Sequence, residues 1–245
     1  MRIAVLADIH GNLPALEAVV RDFTRRGFDA VVNLGDSVSG PLLPLETAQF
    51  LLTQDWVHLA GNGERQILLG RPGQSDAADE FARAQLTSSE LGWIASLKPT
   101  VSLDHQVFLC HGTPRSDVEY LLETVAATHF RAATPREVDE RLGDVEASLL
   151  LCGHTHVSRS VRSSKGPLIV NPGSVGLPAY RDVHPYPHVI ETGSPDARYA
   201  IVEKLAGTWV TSLIVVPYAY MHMVRLAHER GRDDWARALA SGYTV

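Results

Sequence analysis

The segment AVLADIHGN, residues 4–12, carries the feature that decides the fold of this chain: an apolar run that ends in groups able to bind metal. Such a run is typical of a buried strand, so Asp8 and His10 are predicted to lie just beyond the strand's carboxyl end. In open α/β sheets, ligands bind in the crevice at that end of the strands. Because side chains two positions apart in an extended segment point the same way, both residues could reach one ion.

Four more apolar runs end in the same way. They lead to Asp36 in VVNLGDS, Asn62 in VHLAGNGE, His111 in VFLCHG, and both His154 and His156 in LLLCGHTH. Taken singly, an aspartate or histidine at a strand end is more often a cap or a turn former. Seven such residues in one chain are poorly explained in that way. Imidazole, carboxylate and amide donors without a thiolate suit a pair of divalent first-row cations such as Mn, Fe, Co or Zn.

The two cysteines, Cys110 and Cys152, end apolar runs beside the histidine motifs. We interpret them as small buried hydrophobic residues. The alternatives are a redox pair or soft metal ligands. Neither cysteine belongs to a paired cysteine motif, and a reducing cytosol disfavours a disulfide.

The overall composition is that of an ordinary globular protein. The 245 residues are 45% hydrophobic and 20% charged, which is enough to bury a substantial core. The formal net charge of −6 argues against a general affinity for nucleic acid. The opening MRIAVLADIHG lacks the layout of a signal peptide, and no stretch approaches the length of a membrane span. We therefore expect a cytoplasmic protein without membrane partners, which could form homo-oligomers.

Strand and helix signals alternate along the first half of the chain. Asn12 can cap the first helix, and Thr87 with Glu90 forms a capping box for a later one. In order, we predict strand 3–7, helix 13–26, strand 30–34, helix 44–52, strand 56–60, a surface loop from Gly70 to Asp79, and a helix that ends at Leu97.

The second half is richer in strand signals. In order, we predict strands 101–103 and 107–110 around a tight turn, helices 118–122 and 135–142, strand 149–152, a hairpin of 157–161 with 168–170, and a strand pair of 200–203 with 209–216. One or two helices follow from Tyr218, with Trp235 as an apolar anchor. We expect one α/β domain over residues 1–245, built as two packed sheets with helices outside, and a C-terminal helical extension from about residue 218.

The polar motifs occur in a fixed order along the chain: D-x-H at Asp8 and His10, G-D at Asp36, G-N at Asn62, H-G at His111, and G-H-x-H at His154 and His156. This ordered set resembles the calcineurin-like metallophosphoesterase superfamily. HGTP at His111 and NPGSVG at 171–176 resemble its small prokaryotic phosphodiesterases, which have no cap domain. The resemblance implies the four-layer α/β/β/α fold of that family, a two-sheet β-sandwich flanked by helices.

The resemblance also implies a dinuclear metal centre. Asp8, His10 and His156 would hold one ion, Asn62, His111 and His154 the other, and Asp36 would bridge them. A hydroxide between two ions about 4 Å apart would attack phosphorus in line while the ions clamp the phosphoryl oxygens. We expect manganese, with Fe, Zn, Co or Ni as alternatives.

One position departs from the family pattern. Family members commonly have histidine after the G-N pair, where it protonates the leaving group, but this chain has Gly63. Glycine cannot transfer a proton, and general acid catalysis is typically worth about 10²–10⁴-fold. A large gain in rate from Gly63→His, measured on esters with poor leaving groups, would show a real gap at this position.

A later segment offers a replacement for that histidine. AYRDVHPYPHVIETG, residues 179–193, contains His184 and His188, and its prolines would stiffen it. We hypothesise that one of these histidines is catalytic and supplies the missing proton or a phosphate contact. The alternative is a solvated loop whose histidines have no role.

The sequence thus predicts a metal-dependent phosphoesterase, specifically a phosphodiesterase acting on a small phosphate ester. The alternatives are a nuclease or protein phosphatase with the same metals, and a weakly active or inactive scaffold. The acidic balance counts against a nucleic-acid substrate, and the intact ligand set counts against a scaffold. Substrate choice is expected to depend on loops such as 70–79 and 179–193.

Overall fold

The computed structural model of the protein describes residues 1–70 and 76–245, and two five-stranded sheets form its centre. In the described residues the strands are β1 (Arg2–Leu6), β2 (Ala30–Asn33), β3 (Val57–His58), β4 (Thr100–Leu103), β5 (Val107–Cys110), β6 (Glu123–Ala126), β7 (His129–Ala132), β8 (Leu149–Leu151), β9 (Arg159–Arg162), β10 (Leu168–Asn171), β11 (Ala179–Asp182), β12 (His188–Glu191), β13 (Ala197–Leu205) and β14 (Thr208–Val216). The helices in the same ranges are α1 (Leu13–Arg26), α2 (Pro44–Leu52), α3 (Asn62–Leu69), α4 (Ala77–Gln85), α5 (Ser88–Ser96), α6 (Pro135–Leu142), α7 (Met221–Glu229) and α8 (Asp233–Ser241).

The order of the strands brings the candidate ligands to one edge. The first sheet has the order β14-β13-β1-β2-β3, and the second has the order β4-β5-β8-β10-β9. β1, β2 and β3 run parallel, and so do β5, β8 and β10. Parallel strands present their carboxyl ends at the same edge of a sheet, so the residues that follow them can meet there.

β1 shows why its apolar run is nearly continuous. Ile3, Val5 and Ala7 belong to the core between the two sheets, whereas Ala4 and Leu6 pack towards α1. Each face of the strand is therefore covered, as expected for a parallel strand buried on both sides.

Helices cover the outer faces of both sheets. The apolar stripe of α1 packs on the first sheet, and Val138 and Leu142 of α6 pack against Leu150 and Ile169 of the second. The predicted architecture of two packed sheets flanked by helices is confirmed. Both cysteines are buried and free, and burial raises the pKa of each thiol. Among the described residues, no helix combines the length and the apolar character needed to cross a membrane.

The helix predicted at 118–122 is wrong. This stretch consists of bends, and the chain continues into a hairpin of β6 and β7. The prediction relied on a short apolar run, for which helix and strand cannot be told apart by periodicity. Leu121 and Leu122 are buried against α6, while the carboxylate of Glu123 pairs with Arg159 at 2.7 Å. These long-range contacts decide the local conformation.

Two predicted loops prove to be more regular than expected. Of the loop at 70–79, residues 71–75 lie outside the described residues, Gly70 caps the end of α3, Asp76 caps α4, and residues 77–79 form the first turn of α4. The segment 179–193 is largely an antiparallel hairpin of β11 and β12 rather than a loop. Its prolines fall between the two strands, where a missing backbone N–H costs no ladder hydrogen bond.

Candidate metal centre

Backbone hydrogen bonds bring the ligand loops, defined as the segments that follow β1, β2, β5 and β8, into contact. The amide of Asp8 donates to the carbonyl of Gly35 at 3.0 Å, and that of His10 donates to the carbonyl of Asp36 at 2.9 Å. Across the sandwich, the amide of His154 donates to Asp8 Oδ2 at 3.1 Å. The loops of the two sheets therefore hold one another in place.

Five of the seven candidate ligands have a left-handed backbone. Their φ angles are 57° for Asp8, 51° for His10, 52° for Asp36, 68° for His154 and 59° for His156. The expectation that Asp8 and His10 share a direction because their segment is extended is therefore wrong. Left-handed conformations cost about 1–2 kcal/mol per non-glycine residue, although aspartate and histidine tolerate them better than most. Such outliers cluster where surrounding structure enforces them, often at functional sites.

The first cluster joins Asp8, His10 and His156, whose potential ligand atoms all lie within 4.8 Å of one another. The Nε2 atoms of the two histidines are 3.1 Å apart, and His156 Nε2 lies 3.5 Å from Asp8 Oδ1. All three residues are buried, so water does not screen their interaction.

Backbone carbonyls determine which ring nitrogens face the site. Nδ1 of His10 lies 2.9 Å from the carbonyl of Ser39, and Nδ1 of His156 lies 2.7 Å from that of Leu177. Because a carbonyl only accepts, each Nδ1 carries the hydrogen, and in the neutral ring each Nε2 presents a lone pair. Two lone pairs facing each other repel unless a positive charge lies between or beside them. This pattern of outer hydrogen bonds is the one that orients metal-binding histidines.

The second cluster joins Asp36, His111 and His154 within the same limit of 4.8 Å. Nδ1 of His111 donates to the carbonyl of Leu34 at 2.8 Å, which leaves Nε2 facing Asp36 Oδ2 at 3.4 Å. Asn62 begins α3 beside this cluster. Its amide nitrogen donates to Gln66 at 3.3 Å, which leaves Oδ1 for another partner.

Three buried atoms of these residues test whether metal ions fit. Within the described residues, Asp8 Oδ1, Asn62 Oδ1 and His111 Nε2 have no hydrogen-bond partner. An unsatisfied buried polar atom costs about 1–3 kcal/mol. The two oxygens are acceptors, and His111 Nε2 becomes one when the ring gives up its proton to bind an ion, so together they provide oxygen and imidazole donors without thiolate. The residues present therefore fit divalent metal ions.

The charges in the site also favour a cation. Burial alone lowers the pKa of His111, but Asp36 and Asp8 outweigh it and raise the pKa to about 10. Burial raises the pKa of Asp36, yet His111 and the other histidines hold it well below its ordinary value. For His154, burial outweighs the attraction of Asp36 and Asp8 and lowers the pKa to about 4. The carboxylates thus stabilise positive charge beside them, while His154 stays neutral and able to bind an ion.

Sequence reasoning missed the role of Glu64. This fully buried carboxylate accepts hydrogen bonds from the amides of Asp36 at 2.8 Å, Ser37 at 2.7 Å and Gly61 at 2.8 Å. It thereby joins the loop of Asp36 to the start of α3, where Asn62 lies. Burial and, next, the charge of Asp36 raise its pKa. Its position three residues after Gly61 is the spacing of a capping box, a signal that could have identified it.

Position 63 has no room for a side chain. A Cβ atom on Gly63 would lie 2.6 Å from Ser39 Cβ, closer still to Ser39 Oγ, and 2.9 Å from Asp36 Oδ1. Ser39 Oγ is itself 3.1 Å from Nδ1 of His10. The hydroxymethyl group of Ser39 fills the space beside Gly63, so Gly63→His would have to displace it to place an imidazole there.

The structure separates the two histidines that were predicted to be catalytic. His188 contacts the hydroxyl of Tyr120 at 3.0 Å and the carbonyl of Tyr186 at 2.8 Å, so both its ring nitrogens are engaged. His184 is exposed and lines a cavity that also contacts Asn62 and His154. His184 therefore faces the same cavity as two candidate ligands, whereas the ring of Tyr120 contacts both His188 and His154 and lies between them. The catalytic role of either histidine stays a prediction.

Two cavities border the candidate ligands. The α8 cavity, about 390 Å³, lies over His10, Asp36 and His156 and is walled by residues of α8. The hairpin cavity, about 810 Å³, lies between β6 and the turn of the β11–β12 hairpin. In the α8 cavity, burial and the charge of Asp36 raise the pKa of Asp79 to about 7. No local sequence signal identified Asp79 as a wall residue, because its position depends on long-range packing.

Comparison with known proteins agrees with this geometry. The family model of the calcineurin-like phosphoesterase superfamily domain matches residues 1–192. A metallophosphoesterase from Sphaerobacter thermophilus has a solved structure that is 26% identical, with a TM-score of 0.76 over 99% of both chains. An uncharacterized protein of Methanocaldococcus jannaschii is 26% identical over 208 residues, which cover 72% of this chain and 76% of that protein.

A third comparison supports the fold alone. The structure of a hypothetical protein from Pyrococcus horikoshii OT3 is 18% identical, with a TM-score of 0.74 over 100% of this chain and 99% of that chain. The family match spans all seven candidate ligands, from Asp8 to His156. The chain belongs to the calcineurin-like phosphoesterase superfamily.

Proposed function

We propose that the protein is a phosphodiesterase that depends on two divalent metal ions and hydrolyses a small phosphate ester. The observation that carries the proposal is the pair of clusters with inward-facing lone pairs and unpartnered buried acceptors. This donor set is the chemistry of a two-metal site. Family membership supports hydrolysis of a phosphoric ester.

The proposed ligands divide into two sets with one shared carboxylate. The sets are Asp8, His10 and His156 for one ion, Asn62, His111 and His154 for the other, and Asp36 for both. When bound, the ions would supply an activated water and compensate the charge of the phosphoryl oxygens. The chain's own contribution is to orient the donors: carbonyls fix the imidazoles, and Glu64 holds the loops of Asp36 and Asn62. Manganese is the proposed metal, with Fe, Zn, Co and Ni as the alternatives.

His184 is the proposed source of the proton for the leaving group. The support for this role is that His184 lines the hairpin cavity together with Asn62 and His154, so it faces the space next to two proposed ligands. General acid catalysis matters most when the leaving group is a poor one. We expect His184→Ala to slow hydrolysis of an alkyl diester about 100-fold while p-nitrophenyl esters change little. His188→Ala and the exposed His222→Ala are the comparison variants, and equal rates for all three would remove His184 from the mechanism.

The main test measures metal and activity together. Purified protein is analysed for bound metals, and then bis-p-nitrophenyl phosphate and p-nitrophenyl phosphate are assayed with added Mn²⁺, Fe²⁺, Zn²⁺, Co²⁺ or Ni²⁺. We expect about two ions per chain and a higher kcat/KM for the diester. Absence of bound metal and of activity on both esters would support the scaffold alternative and contradict the proposal.

A further inference from the structure

The candidate metal centre lies where the α8 cavity and the hairpin cavity meet. Four of the described residues line both cavities: Asn62, Gln66, His154 and Asp182. Two of these four are proposed metal ligands, so a phosphorus atom at the centre would have open space on two sides. A phosphate monoester has one organic group and fills only one of these spaces.

Among the described residues, the charged groups that line the hairpin cavity are three carboxylates, those of Glu119, Glu123 and Asp182, and one guanidinium, that of Arg141; Asp182 accepts hydrogen bonds from the backbone amides of Val183 and His184 at 2.6 and 3.0 Å. Glu119 is paired with Arg115 at 2.8 Å and Glu123 with Arg159 at 2.7 Å. Arg141 donates to the carbonyl of Glu123 at 2.8 Å and to the hydroxyl of Thr124 at 2.8 Å. These charged groups are already engaged with the protein. The wall therefore offers no guanidinium free to bind a second phosphate.

The remaining wall carries apolar and hydrogen-bonding surface. Val118, Val125 and Pro185 contribute apolar surface, and the rings of Tyr120 and His184 lie beside them. Hydroxyl and amide groups of the same wall can donate and accept hydrogen bonds. A volume of about 810 Å³ lies in the range of small-molecule sites. This combination suits an organic group with polar atoms but no net charge.

The α8 cavity has a different character. Its wall includes Arg181, Arg232, Asp76 and Asp79, together with the ring of Trp235. Charged side chains of both signs therefore line this side of the centre. The two cavities are not equivalent, and the two organic groups of a diester would be distinguished by them.

We infer that the hairpin cavity is a second substrate subsite, and that it binds an uncharged organic group of nucleoside size attached to the scissile phosphate. The inference rests on the proposed function and names the substrate class of the same site: a diester with one group in each cavity. Hydrolysis of such a diester forms a bond from a water oxygen to phosphorus and breaks the bond to one alcohol oxygen. One proton of the water ends on that alcohol, the second stays on the phosphomonoester or ionises to solvent, and the other organic group remains attached to the phosphate.

The test fills the hairpin cavity without touching a proposed ligand. Val125 on β6 lines the cavity, and tryptophan is accepted in strands, so Val125→Trp is the first variant. Val118→Trp, at a half-exposed wall position, serves if the first variant folds poorly. The matched control is Val215→Trp on β14, a 53% exposed residue outside both cavities.

The substrate is thymidine 5′-(p-nitrophenyl phosphate), whose p-nitrophenolate leaves without a proton donor, so its hydrolysis does not need the leaving group to lie beside His184 in the hairpin cavity. We expect Val125→Trp to raise its KM about tenfold or more, whereas Val215→Trp changes it less than twofold. Bound metal and kcat on p-nitrophenyl phosphate report the integrity of the centre and should stay near the wild-type values. Equal KM values for Val125→Trp, Val118→Trp and Val215→Trp overturn the inference. Wild-type protein without metal or activity contradicts the proposed function itself, so the two failures are distinguishable.

A charged analogue tests the chemical class. Thymidine 3′-phosphate 5′-(p-nitrophenyl phosphate) adds a dianion to the same nucleoside. The carboxylates of the wall and the engagement of Arg141 with the protein predict a KM at least several-fold higher for this analogue in the wild-type protein. A lower KM for the analogue than for the uncharged thymidine ester would show that the subsite prefers a second phosphate, which contradicts the inference.

Discussion

The ligand loops and the cavity walls are held in place by different kinds of interaction. The ligand loops are buried, hydrogen-bonded to one another across the sandwich, and left-handed at five of the seven candidate ligands. The walls come from α4, α8 and the two small hairpins, and some of their charged residues, such as Glu119 and Glu123, are held by ion pairs. The first region has little freedom to change without loss of the whole site. The second can vary in shape while the centre stays intact, which is how one family can accept different esters.

The largest effect is expected from Asp36, which we propose to bind both ions. Asp36→Asn keeps the shape of the side chain but removes the charge that would attract two ions. We expect kcat on bis-p-nitrophenyl phosphate to fall about 10³-fold or more, and bound metal to fall with it. Asp55→Asn, at an exposed site, is the control. A full metal load and unchanged kcat in Asp36→Asn would show that the comparison places too much weight on the ligand loops.

A smaller effect is expected from Glu64, which contacts no candidate ligand side chain but binds three backbone amides. Glu64→Gln replaces one acceptor oxygen by a donor nitrogen, so at least one amide loses its partner. We expect metal affinity to fall about 10–100-fold, the usual result of losing a residue that orients ligands. Calorimetric titration with Mn²⁺ measures it, and Glu229→Gln on exposed α7 is the control. A loss of folding without a change in metal affinity per folded molecule would limit Glu64 to a structural role.

Position 63 tests how tightly the ligand loops are packed. Gly63→His forces Cβ against Ser39, and such overpacking typically costs about 1–3 kcal/mol. We expect urea unfolding of Gly63→His to show a loss near 3 kcal/mol. The double variant Ser39→Gly with Gly63→His removes the clash and should recover most of that stability. If both variants are equally unstable, contact with Asp36 rather than Ser39 limits this position.

The smallest effect concerns His58 on β3, away from the centre, between the rings of Trp56 and Trp93. Burial lowers the pKa of His58 to about 4. The unfolded histidine, with an ordinary pKa of about 6.5, takes up a proton as the pH falls below that value, while the folded one stays neutral. The contribution of neutral His58 to the free energy of unfolding is therefore present in full above about pH 6.5 and is lost as the pH falls towards 4. We expect this residue to contribute about 2 kcal/mol to that loss, after allowance for its partial exposure.

The measurement for His58 is urea unfolding at pH 7.5 and pH 4.5 with a chelator present. His58→Phe should lose less stability between the two pH values than the wild-type protein does. His222→Phe on the exposed face of α7 should behave as the wild type. If all three proteins lose the same free energy of unfolding between pH 7.5 and pH 4.5, the acid sensitivity arises only in the ligand loops.

The prediction from sequence was accurate where local signals and burial agree. Helices α1, α2 and α6 begin and end where the sequence places them, since each has an apolar stripe and clear end signals. The prediction of a helix at 118–122 was wrong because a run this short is too brief to show helical periodicity. The burial of Leu121 against α6 depends on tertiary packing. The pairing of β11 with β12 was missed because prolines interrupt the segment between them.

The sequence by itself determined the ligand types, their order and their place after apolar strands. Both the alternation of side chains along a strand and the position of a residue just beyond the strand's carboxyl end depend mainly on local sequence. Only the tertiary structure decided how those residues meet. Left-handed turns rather than extended backbone aim Asp8 and His10, Glu64 ties two loops together, and Ser39 fills the space beside Gly63. The cavities were likewise invisible in the sequence, since their walls join residues more than a hundred positions apart, such as Asp36 and Trp235. Packing between distant segments produces such surfaces, and no local pattern records it.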